Sequence, residues 1–229
     1  MSSKINKWWD EKRILWYDRA SLYSPFQENL TRLIEKHIPI EESILELGTG
    51  LGYQGENLCK RGYDIASFDI DEDAIACARK RSNLPIFQLK DYREIKEKRD
   101  AVLSVFFGRI TEDDNLDFIL SLANKHLVYV QSCHRGQSKD LRKKGDNTER
   151  TIRYLEDRGI DFSYSEHKIP FPQPFESLDE AKLFITSFYG EERLGSYLQY
   201  VNETGREDLP FELKNDKEFI IFDIKKEDR

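Results

Sequence analysis

Residues Ile44-Leu45-Glu46-Leu47-Gly48-Thr49-Gly50-Leu51-Gly52 place three glycines at alternate positions directly after a short apolar run. Such a turn lets backbone approach a bound molecule closely and adopt dihedrals that a side chain forbids. A carboxylate ends a second apolar run at Asp69 (Phe68-Asp69-Ile70-Asp71), and another follows a third at Asp91 (Leu89-Lys90-Asp91-Tyr92). In an open α/β sheet, ligands bind outside the carboxyl ends of the strands, where these residues fall. Two ligand classes compete for the turn. Gly50-Leu51-Gly52-Tyr53-Gln54-Gly55 matches the dinucleotide pattern literally, and Asp69 follows at about the distance expected of a ribose-binding acid. Glu46 argues the other way. An acid two residues before the turn repels a pyrophosphate and attracts an ammonium group.

Glu46-Leu47-Gly48-Thr49-Gly50-Leu51-Gly52 resembles the first motif of the class I, Rossmann-like S-adenosylmethionine-dependent methyltransferases. Asp69 resembles their ribose-binding acid, and Asp91 the residue that contacts the adenine amino group. The resemblance implies S-adenosyl-L-methionine as cofactor. It assigns the methionine end to Gly48, Thr49, Gly50 and Gly52, with Glu46 near the ammonium. Ile70 and Tyr92 would wall the adenine, and the backbone at Phe106 would face the amino acid moiety. Methyl transfer to a small-molecule acceptor is the implied activity. The alternatives are a nicotinamide- or flavin-dependent oxidoreductase using Gly50, Gly52 and Gly55, and a nucleic-acid-directed or non-catalytic cofactor-binding module. The stretch Val105-Phe106-Phe107-Gly108-Arg109 lacks the Asn/Asp-Pro-Pro-aromatic motif of adenine and glutamine N-methyltransferases. Acceptor residues are expected at the ends of the fourth and fifth strands. Arg109 and Arg135 would position a carboxylate or phosphate, and His134 would take a proton; the competing reading of Arg109 is a structural ion pair with Glu112 or Asp113. Tyr17, in the helical lead-in, is a candidate lid or hydroxyl donor. Asp113-Asp114-Asn115 reads as helix-capping chemistry, and no metal is implied.

The elements that position these residues follow from periodicity. Short β-type runs occur at 43–47, 64–69, 86–89, 101–107 and 127–130, with helical patterns at 53–61, 73–81 and 113–125 between them. This alternation predicts an α/β fold with a doubly wound, mostly parallel sheet. Ahead of it, 5–21 and 26–37 read as helices, with Trp8, Trp9 and Trp16 on a packed face. Thr111 and Asp114 resemble a capping pair. Later come a helix at 147–158, a strand at 161–169, a break at Pro170, Pro172 and Pro174, and a capping box at Ser177–Glu180. A closing strand is expected at 218–224. The chain reads as one domain over 1–229, divided into a helical lead-in or lid (1–38), a cofactor-binding core (43–135) and a C-terminal part of the sheet carrying a helical cap (136–229).

Composition narrows the classes. The 229 residues carry 36 Lys plus Arg against 43 Asp plus Glu, a net charge of −7. An acidic chain is a poor generic binder of polyanions, so nucleic acid is an unlikely partner. No apolar run approaches the length that spans a bilayer, and the N-terminus lacks a signal-peptide core. Three scattered cysteines without metal-ligand spacing point to a reduced, cytoplasmic protein. A monomer or homodimer is expected.

Overall fold

Ile44, Leu45 and Leu47 are all buried, as the central strand of a sheet covered on both faces requires. The computed structural model describes residues 8–133 and 147–226. Their contacts group into two compact units: residues 8–9, 28–133, 147–167 and 218–226 form the first, and 10–27 with 168–217 form the second. The sequence reading treats the chain as one domain with its lead-in ending near residue 38.

The first unit holds a seven-stranded sheet of order β3-β2-β1-β4-β5-β10-β6. Its strands are β1 (Ile44–Leu47), β2 (Ile65–Asp69), β3 (Phe87–Leu89), β4 (Arg99–Val105), β5 (Ala123–Ser132), β6 (Phe162–Pro170) and β10 (Asp216–Lys225). β1 pairs in parallel with β2 and β4, β2 with β3, and β4 with β5. β10 runs antiparallel to β5, with Phe219 opposite Ser132. Helices α3 (Tyr53–Lys60), α4 (Glu72–Ser82), α5 (Asn115–Leu122) and α6 (Asn147–Asp157) connect the strands. The doubly wound, mostly parallel sheet expected from the alternation is present. Leu45, Leu47, Val102, Leu116, Ile119, Leu127 and Phe222 form one core cluster.

The second unit contains α1 (Glu11–Tyr23), α7 (Leu178–Tyr189), the short α8 (Leu194–Leu198) and an antiparallel sheet of order β7-β9-β8. Those strands are Gln173–Phe175, Phe211–Leu213 and Val201–Glu203. Trp16, Phe175, Phe184, Ile185 and Leu213 make its core. Glu180 accepts from Trp16 Nε1 at 3.1 Å and from Arg19 at 2.8 Å, which ties α1 to α7. Helix α2 (Phe26–Ile34) and strands β6 and β10 have residues in both units.

Several boundaries differ from expectation for identifiable reasons. Helix α1 begins only at Glu11, because Asp10 caps it by accepting from Arg13 N at 2.9 Å. Trp8 and Trp9 therefore precede the helix and are not part of its face. Phe106 has φ +54° and leaves β4 two residues early. Asp114 stands at the N-cap of α5 without capping it; its carboxylate pairs with Arg93 at 3.1 Å. Ser177 accepts from Glu180 N as a capping box requires, but the Glu180 carboxylate accepts from Glu176 N instead of closing the box. The three-proline break conceals β7, and neither β8 nor β9 is anticipated.

Candidate functional site

The turn after β1 is held rigidly from several sides. Gly48, Gly50 and Gly52 have φ of +67°, +53° and +75°, left-handed values that a side chain resists. Thr49 N donates to Phe68 O at 3.0 Å, and Gly52 N to Thr49 O at 2.9 Å. From α4, Arg81 donates to Leu51 O and to Glu56, both at 2.7 Å, while its guanidinium lies 3.8 Å from the Tyr53 ring centroid. A preorganised turn of this kind spends little ordering entropy when it binds.

Aromatic rings close directly on the glycines. A Cβ on Gly48 would meet the Phe107 ring at 2.2 Å or less, and one on Gly50 would meet the Trp9 indole at 3.0 Å. Phe107 reaches this position because the chain reverses at Phe106 and Ser104 Oγ donates to Phe107 O at 2.9 Å. The sequence reading selects Phe106 and passes over Phe107 and Trp9. Only their aromatic type next to β4 and at the lead-in hinted at either.

Two acids flank the turn. Glu46 is 2% exposed on β1 and accepts from Thr49 Oγ1 at 2.7 Å. Burial, with the nearby Asp69 charge adding to it, raises its carboxyl pKa above the usual range. Asp69, at the end of β2, accepts from Gly50 N at 2.7 Å and from Asp71 N at 2.9 Å. Its pKa is raised too, by burial first, against the lowering effect of those backbone donors. Among the described residues neither acid has a Lys, Arg or His in ion-pair contact. Two desolvated carboxylates without a cation are a costly arrangement unless a ligand supplies the charge. A carboxylate oxygen can accept more than one hydrogen bond, so Asp69 retains acceptor capacity for a hydroxyl.

The remaining predicted residues divide. Ile70 is 41% exposed beside Asp69, an apolar surface at the strand end. Asp91 accepts from Arg93 N at 2.9 Å through Oδ1 and starts a single 3₁₀ turn. Tyr92 is half-buried against the core: its hydroxyl donates to Asn115 Oδ1 at 2.9 Å and its ring meets Phe107 edge-on at 5.4 Å. The Phe106 ring meets Phe219 edge-on at 5.8 Å, and its N–H donates to Val130 O.

The acceptor-side expectations fare differently. Arg109 is exposed and pairs with Glu112 at 2.8 Å, three residues on. An exposed (i, i+3) pair is a local surface contact. Arg109→Gln is therefore expected to cost only ~0–1 kcal/mol in urea unfolding and to leave ligand affinity unchanged. A large change in either would restore a functional role. Tyr17 belongs to the second unit, where its hydroxyl accepts from Gln27 Nε2 at 3.0 Å and its ring meets Phe171 edge-on. His134 and Arg135 lie outside the described residues. No group of His, Cys, Asp and Glu suited to a metal ion occurs among the described residues.

The dinucleotide reading meets an electrostatic obstacle. Gly55 lies inside α3, and its Cβ would stand 2.4 Å from Ser67 Oγ and 2.6 Å from Glu46 Oε2. It serves close helix–sheet packing, the role of the third glycine in the dinucleotide pattern too, so it does not separate the two readings. Beneath the turn stands the Glu46 carboxylate, where a pyrophosphate reading calls for positive potential.

Comparison with known proteins locates the architecture. No protein-family profile and no curated protein sequence matches the chain. Solved structures do. A methyltransferase from Thiobacillus denitrificans in complex with S-adenosyl-L-homocysteine aligns with TM-score 0.57 at 11% identity, over 95% of this chain and 99% of that one. Magnesium protoporphyrin IX methyltransferase from Synechocystis PCC 6803, with bound S-adenosylmethionine, aligns with TM-score 0.51 at 14% identity, over 96% and 100%. The YcgJ protein of Bacillus subtilis gives TM-score 0.54 at 12% identity, over 87% and 99%. With the strand order above, these likenesses establish that the chain has the class I, Rossmann-like methyltransferase fold.

Proposed function

We propose that the protein is an S-adenosylmethionine-dependent methyltransferase acting on a small-molecule acceptor. The observation that carries the proposal is the pair of acids, buried Glu46 and half-buried Asp69, on either side of a rigid glycine turn, with no Lys, Arg or His in ion-pair contact with them among the described residues. A donor with an amino acid end and a ribose suits both: an ammonium next to Glu46 and hydroxyls on Asp69. Structural neighbours that carry this donor or its product share the fold.

When bound, S-adenosylmethionine supplies an activated methyl group. The chain's own residues hold and orient. Gly48, Thr49, Gly50 and Gly52 would hold the methionine end, with the Phe106 backbone facing it. Ile70 would cover the adenine edge, and Asp91 would accept from its amino group through the oxygen that Arg93 N leaves open. Tyr92, half-buried with its ring edge-on to Phe107, would form the other wall of the adenine. Alignment by fixed groups of this kind accounts for much of the rate in bimolecular transfers.

The acidic chain favours a small acceptor over nucleic acid. Among the described residues no helix is long and apolar enough to cross a membrane. Calorimetry with S-adenosylhomocysteine, NADH and FAD tests the reading. Binding of the first alone is expected; binding of NADH or FAD instead would overturn it. Asp69→Asn should weaken S-adenosylhomocysteine by about tenfold, since it removes the charge on a hydroxyl acceptor and keeps the shape.

A further inference from the structure

We propose that Trp9 is a donor-binding residue, its indole forming a wall of the pocket at the Gly50 turn. The inference rests on the donor reading above and concerns a residue outside the glycine and acid motifs. Three observations support it. First, the indole lies against the face of Gly50 from which a side chain would project: Cζ2, Cε2 and Nε1 stand 3.0, 3.4 and 3.5 Å from that Cβ position. Gly50 therefore has ring on one side, and any ligand seated on the turn lies beside an aromatic surface.

Second, the backbone at Trp9 joins the hydrogen-bond relay that shapes the turn. Trp9 N donates to Asp71 Oδ2 at 3.4 Å, Asp71 N to Asp69 Oδ1 at 2.9 Å, and Gly50 N to Asp69 Oδ2 at 2.7 Å. The segment is thus registered against the acid assigned to the ribose. Third, the chemistry matches. Beneath the turn sit carboxylates that have no Lys, Arg or His in ion-pair contact among the described residues, and an indole is the aromatic group that attracts a cation most strongly. The other tryptophans have different settings. Trp16 is a core residue of the second unit, and Trp8, next in sequence, is 61% exposed. Trp9 is half-buried where the acids converge.

Substitution in the full chain, with S-adenosylhomocysteine as probe, tests this by calorimetry and tryptophan emission. Wild type should bind with a change in emission. Trp9→Phe keeps an aromatic face, so it should bind within about threefold yet lose the emission change. Trp9→Ala should bind at least about tenfold more weakly, with the melting temperature of the ligand-free protein little altered. Trp8→Ala should behave as wild type. The inference is overturned if Trp9→Phe retains the full emission change, or if Trp9→Ala binds as wild type does. Should Trp9→Ala fail to fold, the Trp9→Phe emission result decides alone. If wild type does not bind S-adenosylhomocysteine in calorimetry, the donor reading itself fails and takes the inference with it. Wild-type binding combined with indifferent Trp9 variants removes the inference alone.

Discussion

Glu46→Gln is expected to raise the melting temperature of the ligand-free protein while weakening S-adenosylhomocysteine by about 10- to 100-fold. Both effects come from one buried charge. The folded-state carboxyl pKa is raised, by burial first and the neighbouring Asp69 second. A group shifted upward contributes its stability below its unfolded value, near 4.3, and loses it as pH rises through the folded value. At neutral pH the ionised carboxylate therefore costs folding energy, and an isosteric amide avoids that cost. Binding has the opposite sign. The donor's ammonium is attracted only to the ionised form, and a hydrogen bond to a charged group contributes about 1.5–3 kcal/mol. Wild-type affinity should accordingly rise with pH through the raised Glu46 value, and the amide variant should lack that step. Thermal melts and calorimetry on one pair of proteins suffice. A variant with unchanged affinity would separate Glu46 from the ligand.

His126→Ala is expected to cost about 3–5 kcal/mol of stability at pH 6 in urea unfolding, because it breaks a buried charge network opposite the site. His126, at the N-terminal end of β5, is buried with Nδ1 2.7 Å from Asp223 Oδ1 and Nε2 2.9 Å from Glu42 Oε2. With a carboxylate at each ring nitrogen, the imidazolium form is favoured. Burial opposes the charge, but the hydrogen bonds to Asp223 and Glu42 overcome it and raise the pKa. Burial likewise works against Asp223, yet His126, His37 and Lys225 hold it well below the usual carboxylate range. Lys125 and Asp100 complete the surroundings. The His126 contribution is fully present below about pH 6.5 and fades as pH rises through its raised value. The Asp223 contribution is present above about pH 4 and fades as pH falls through its lowered value. The gap between wild type and variant should therefore narrow between pH 6 and pH 9. A gap that stays constant with pH would mean the loss is one of packing alone.

The alternation of short apolar runs with helical patterns was sufficient to read the seven-stranded sheet, because period and turn chemistry are local properties. The glycine turn, Glu46 and Asp69 were legible for the same reason. Each belongs to a motif whose members lie within a few residues, and a buried acid beside glycines has few uses. The second unit was not legible. Its strands β7, β8 and β9 are three residues each and pair with partners up to forty residues away, so no local period announces them.

Distant partners were equally hidden. Tyr92 follows a strand that ends at the site, yet its hydroxyl bonds Asn115, 23 residues away. The Arg109 partner was legible by contrast, because Glu112 lies only three residues on. Trp9 and Phe107 show the converse. Neither belongs to a motif, and both come to rest on glycines about forty to sixty residues distant in sequence. The amino-acid sequence determined the sheet and the acids beside the glycine turn, because those depend on local pattern. Tertiary structure decided which aromatic rings cover the turn, because this depends on contacts between distant segments that no local pattern encodes.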